Sequence, residues 1–167
     1  MNKLIRSIFL LSITILAATA AIFGQAADLK ADHVETKPAY DEELAKRLGG
    51  DERGMKNYIL VILKTGPKDA AFKGKARDDI FAGHMSNIGK LADAGQLAVA
   101  GPFVPNEKGY RGLYIFNVKT IEEAQKLVET DPAVKAGILV ADMTPWYGSA
   151  SLLATPEIHK SITRPKP

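Results

Sequence analysis

The chain contains no cysteine. That removes disulfides, thiol nucleophiles and zinc–thiolate sites together, and with them a bacterial-type lipid anchor. Histidine is scarce: His33, His84 and His159 lie far apart and in segments of different character, an arrangement poor for gathering a metal ion. No phosphate-binding P-loop and no Gly-x-Gly-x-x-Gly run after a strand is present, so the usual nucleotide cradles are missing. No serine sits in a nucleophile elbow. Charge of one sign is lacking too. Without residues 1–26, which carry Lys3, Arg6 and no acid, twenty cations face nineteen acids, a balance of +1. The remaining cations are scattered, with only a modest cluster at Lys68, Lys73, Lys75 and Arg77, which argues against a nucleic-acid partner.

The long hydrophobic run that does exist is N-terminal. After Lys3 and Arg6, Ile8 to Ala18 is apolar apart from Ser12 and Thr14. Small residues follow, with Gly24-Gln25-Ala26 as a cleavage signal and Ala18-Thr19-Ala20 as a second option. This is the build of a secretory signal peptide, and the run is short for a bilayer span of ~20 residues. The expectation is an exported protein, periplasmic or extracellular, with no stable membrane anchor after cleavage. Residues 27–56 read as a polar leader carrying a short amphipathic helix over 41–48, with Glu42–Lys46 and Glu43–Arg47 as i,i+4 pairs. Residues 57–148 form the folded domain, and 149–167 a tail whose final short helix opens at Thr155-Pro156 and carries an exposed His159.

Within the domain the pattern alternates between strand and helix periods. Asn57–Lys64 is a strand apolar on both faces, ended by Gly66-Pro67. A helix follows over about Asp78–Ala94, with Asp78 and Asp79 at its positive end. Gln96–Gly101 is the second strand. Gly112–Val118, again apolar on both faces, is the third after a turn at Asn106–Gly109. Thr120 and Glu123 make a capping box for a helix to about Thr130. Asp131-Pro132 restarts a helical turn as N-cap and N1, and Ile138–Thr144 is the fourth strand, with Pro145 ending its regular pairing. The order βαββαβ is the ferredoxin-like unit of the α+β class: an antiparallel sheet with strands one and three in the centre and both helices on one face. The other face must also be covered, and a second copy of the chain, sheet against sheet, is the economical cover. A homodimer is therefore expected.

His84 is the histidine that the pattern singles out. Ile80, His84, Ile88 and Leu91 share one helical stripe, so the imidazole points with the apolar residues and each ring nitrogen needs a partner or a purpose. One reading is a core histidine satisfied by a backbone carbonyl. The other is a proton-transfer residue in a pocket, because imidazole titrates near neutral pH. Gly83 and Gly89 weaken the same helix, each by ~1 kcal/mol relative to Ala, and one physical reason to keep them is the close approach of a sheet or a ligand.

Three separated motifs occur in order: the His84 helix, Gly95-Gln96-Leu97 with Ala100-Gly101-Pro102, and Asp131 to Gly137, reading DPAVKAG. Together they resemble the YCII-related (YciI-like) family over about residues 57–148. The longer pattern, from LVILKTGP at 60–67 to PWYG at 145–148 and the tail, is similar to an exported branch of it. The resemblance implies a ferredoxin-like dimer of the dimeric α+β barrel group with a His–Asp dyad, here His84 and Asp131, and no cofactor. The carboxylate would fix the tautomer and steady the imidazolium, leaving the other ring nitrogen as acid or base. An Asp before Pro is also an ordinary helix cap, and Asp93 on the same helix as His84 is a rival partner.

Three functions remain open on this reading. The first is cofactor-independent acid–base catalysis of the lyase or isomerase type on a small, aromatic or cyclic molecule. The second is a non-catalytic ligand-binding or structural dimer. The third is a cofactor-free oxygenase, by analogy of fold alone.

Overall fold

The structure, a computed structural model, describes residues 39–164. The signal peptide expected over 1–26, the leader to residue 38 and the last three residues of the tail lie outside the described residues. Among the described residues no helix is long and apolar enough to cross a membrane.

The sheet has the order β2-β3-β1-β4, all neighbours antiparallel, built from β1 (Met55–Thr65), β2 (Leu97–Pro102), β3 (Tyr110–Phe116) and β4 (Leu139–Ser149). The two strands apolar on both faces, β1 and β3, are the central pair. Alternation along them divides the core. Ile59, Val61, Leu63, Tyr114 and Phe116 face the helical layer, and Tyr58 and Ile115 face the opposite side. The helical layer comprises α2 (Gly74–Asp93), α3 (Ile121–Val128) and the single turn α4 (Pro132–Lys135). It contributes Leu91, Ala124, Val128 and Ala133 to the core. Thr120 and Glu123 form the expected capping box of α3. The fold is α+β and ferredoxin-like.

Several boundaries differ from the sequence reading. α2 starts at Gly74 rather than Asp78, and without a capping side chain at Lys73. Arg77 secures this end instead, by gripping the Asp69 carboxylate at 2.7 Å and the Asp69 carbonyl at 3.0 Å. No Ser, Thr or Asp announces the start, so the pattern placed it late. β4 does not stop at Pro145: pairing with β1 continues through Ile59↔Pro145 and Tyr58↔Trp146 to Met55↔Ser149. The proline is tolerated because β4 is an edge strand, where a missing N–H faces no neighbour.

The longer β4 changes what covers the second face. It delivers the chain to a 3-10 turn, Ala150–Ala154, whose Leu152 and Leu153 pack against Tyr58, Ala98 and Ile115. α1 (Glu42–Leu48) packs on that turn in its own right, and Glu42–Lys46 forms at 2.6 Å as expected. One end of the second face is thus covered by the chain itself.

One irregularity bears on the site. The β1–β3 register runs Leu63↔Gly112 and then Lys64↔Tyr110, so Arg111 has no partner across the ladder. It is the extra residue of a β-bulge, a device that re-aims side chains beside functional sites.

Candidate functional site

α2 and α4 meet where the histidine sits. A Cβ on Gly83 would lie 3.0 Å from Pro132 Cγ, tight enough that the proline ring would have to give by a few tenths of an ångström, so glycine eases the close approach of α2 to the first residue of α4. The close approach at Gly83 is therefore made to a helix, α4, and not to the sheet or a ligand as expected. Gly89 has open space where a Cβ would stand and lines a cavity. With Gly83 against Pro132, the next residue of α2 faces the cap of α4. His84 Nδ1 lies 2.7 Å from Asp131 Oδ2, both groups buried.

Asp131 does two jobs with two oxygens. Oδ1 accepts the Ala133 backbone N–H at 2.8 Å, as the N-cap of α4. Oδ2 accepts the Nδ1–H of His84 and, at 3.0 Å, the hydroxyl of Tyr114. Burial disfavours the Asp131 charge and is the largest single influence. The hydrogen bonds from His84, Ala133 and Tyr114 and the charge of the imidazole together outweigh it, and the carboxyl is held below its ordinary value. Tyr114 shifts upward, first because it is buried and then because a carboxylate faces it, so its proton stays on the hydroxyl as a donor. An ionised acceptor at Oδ2 selects the Nδ1–H tautomer, which leaves the lone pair of the neutral ring on Nε2. That nitrogen has no hydrogen-bond partner among the described residues, and it is not among the sealed, unpaired atoms.

His84 lines a cavity of about 1080 Å³ between α2, β2, the β2–β3 connection and the last helix. The walls near the ring are apolar. Phe81 meets the imidazole edge-on at 5.6 Å between centroids, Tyr114 lies roughly parallel to it at 6.3 Å, and Met85, Ile88 and Leu97 continue the lining. A carboxylate-anchored imidazole with one free nitrogen, facing an apolar chamber, can accept or donate a proton at a bound molecule. A smaller hollow of about 470 Å³ beside Gln96, Asn117 and Glu123 does not include the pair.

The YCII-related domain matches residues 58–146, more than half of the chain. The protein belongs to the YCII-related family. A similar solved structure is 5-chloro-2-hydroxyhydroquinone dehydrochlorinase (TftG) from Burkholderia phenoliruptrix AC1100, in complex with 2,5-dihydroxybenzoquinone. It is 22% identical, with a TM-score of 0.42, over 53% of this chain and 92% of that one. No curated protein matches the chain.

Within the YCII-related domain, the structure brings together the two residues singled out from sequence. Asp93, the rival, turns to solvent and pairs with Lys160 at 2.7 Å. The pair's third member, Tyr114, escaped the sequence reading because alternation explains it as core. The usable signal was its hydroxyl, since a buried tyrosine needs a partner for it. The expected tail helix is α5 (Thr155–Ile162), beyond the family match, and what was missed is its place at the cavity. The helix is exposed, as is its His159, yet Thr155, Pro156, His159 and Lys160 all line the cavity. Among the described residues no group of three or more potential ligands could hold a metal ion.

Proposed function

We propose that this YCII-related protein is a cofactor-independent acid–base enzyme of the lyase or isomerase type. It acts on a small cyclic or aromatic molecule held in the cavity beside His84. His84 Nε2 moves the proton, Asp131 fixes the tautomer and steadies the imidazolium, and Tyr114 holds the carboxylate in place. The observation that carries the reading is the 2.7 Å contact between Nδ1 and a buried carboxylate, with the opposite nitrogen left unpartnered beside an apolar chamber. A purely structural histidine would gain from the carboxylate but would have no use for the chamber.

The test is turnover. Small cyclic ketones, enols and hydroxylated rings are screened by NMR in D2O for product formation or deuterium uptake at carbon. In His84→Ala, folded by circular dichroism, the rate on any compound turned over falls about 10²–10⁴-fold. A folded His84→Ala protein turning over at the wild-type rate overturns the reading. Catalysis would then rest on residues other than His84, whereas a protein that turns over none of the compounds would be the ligand-binding or structural dimer.

The same proposal includes export and self-association. The basic start and apolar run of residues 1–26 support export. Leu60, Ile62, Leu113 and Val99, half-buried on the second face of the sheet, support a sheet-to-sheet homodimer. Native mass spectrometry of the protein purified from its source reads both. The expected species is a complex of two chains, each beginning near Ala26 or Ala27. Intact Met1 overturns export, and a single chain at micromolar concentration overturns the dimer.

A further inference from the structure

We propose that Arg111 is the anion anchor of the His84 cavity, and that the ligand is a small ring compound carrying a carboxylate. The inference rests on the proposed site and adds the class of molecule that fits it.

The first support is direction. On β3, alternation would send residue 111 to the second face with Leu113 and Ile115. The bulge removes it from the ladder, and its backbone is fixed there by the Phe103 N–H, which donates to the Arg111 carbonyl at 3.0 Å. The side chain is delivered to the helical side instead. There it reaches Asp69 at 3.4 Å and lines the same cavity as His84. A bulge is a local interruption of sheet pairing, and here its product is a guanidinium in the chamber.

The second support is charge. Two permanent cations line the cavity, Lys160 and Arg111. Lys160 is matched by Asp93 at 2.7 Å. Arg111 is not matched in the same way. Its carboxylate, Asp69, is already taken by Arg77 at 2.7 Å, and Arg111 stands at the long distance of 3.4 Å. One carboxylate between two guanidinium groups leaves one positive charge over. Arg111 is half-buried and makes no other side-chain hydrogen bond among the described residues. A planar fork with unused donors beside an apolar wall is suited to a carboxylate, which it binds through two parallel hydrogen bonds.

The third support is spacing. Tyr114, which touches the His84–Asp131 pair, is three residues along β3 from Arg111, on the order of 10 Å of strand. That separation accommodates one six-membered ring with its carboxylate on Arg111 and a ring carbon near His84. The apolar ring of Phe81, which meets the imidazole edge-on and lines the same cavity, suits the body of the ring.

The experiment uses benzoate and its neutral isostere benzamide, titrated by NMR into the wild type, Arg111→Gln, Arg111→Lys and His84→Ala. The wild type binds benzoate at least about tenfold more tightly than benzamide, a charge-assisted preference. Arg111→Gln brings the two within about twofold. Arg111→Lys keeps part of the preference, because a point charge lacks the fork. His84→Ala keeps it in full. Arg77 still holds Asp69 in both Arg111 variants, so the neighbouring loop retains its anchor. An unchanged preference in Arg111→Gln, or no preference for benzoate in the wild type, overturns the anchor. Loss of turnover in His84→Ala bears on the acid–base reading alone, so the two ideas fail separately.

Discussion

Asp131→Ala lowers the stability of the protein by about 3 kcal/mol, roughly 10 °C in melting temperature for a domain of this size. The cost accumulates from what the side chain serves. Losing the cap of α4 costs ~1 kcal/mol. Leaving the His84 Nδ1–H and the Tyr114 hydroxyl without their shared acceptor costs about 1 kcal/mol or more apiece, because both are buried. Asp131→Asn loses less, since an amide oxygen can still accept from Ala133 N–H, and it separates the charge from the shape. Its signature lies in pH. The folded protein holds the Asp131 carboxyl below the ordinary 3.8, so ionisation contributes stability that is fully present above that value. The contribution is lost as pH falls through the lower, folded value. Melting curves for wild type and Asp131→Asn therefore differ most near neutrality and converge below about pH 4. A gap that stays constant from pH 7 to pH 3 would show that the carboxylate is not held ionised by its neighbours.

Gly66→Ala is expected to be about as damaging, for a reason unrelated to chemistry. A Cβ at residue 66 would sit 2.3 Å from the Gly137 carbonyl oxygen and 2.8 Å from the Ile138 carbonyl carbon. Those are backbone atoms of the segment joining α4 to β4, and the Gly66 N–H donates to the Ile138 carbonyl at 2.7 Å across the same gap. Nothing flexible is present to yield, so the chains must part and give up that bond. The penalty is about 3 kcal/mol, at the upper end for overpacking. The displaced segment follows directly on Asp131 and α4, so loosening is expected to spread to the His84–Asp131 contact. Urea titration measures the loss, and an alanine variant within 1 kcal/mol of the wild type would mean that the segment has room to shift.

The framework was legible because it depends on period and punctuation. Ile59, Val61 and Leu63 alternate with Tyr58, Leu60 and Ile62, and a strand apolar on both faces belongs at the centre of a sheet. His84 could be placed on the core side of its helix by spacing alone, and Asp131 could be recognised as a cap by the proline after it. Their pairing came from the family resemblance. No local pattern reports that α2 and α4 touch at Gly83 and Pro132. What stayed hidden depends on tertiary placement. Pro145 reads as a strand end until the strand is known to lie at the edge. Arg111 falls between the expected turn and the expected third strand, and only the register shows it to be bulged. The tail reads as an appendage, because an exposed amphipathic helix carries the same signature whether it lines a cavity or not.

That tail has a consequence for how the protein can change over generations. The groups proposed to handle a proton lie inside the stretch common to the family, locked between sheet and helices. One wall of the chamber, α5, is written after that stretch ends and is joined to α2 by a solvent-exposed ion pair, Lys160 to Asp93, a contact of small energetic weight. Substitutions in the closing segment can therefore reshape what enters while leaving the buried centre and its folding constraints untouched. The proposed proton chemistry and one wall of the chamber that would select its substrate thus lie in different lengths of this sequence.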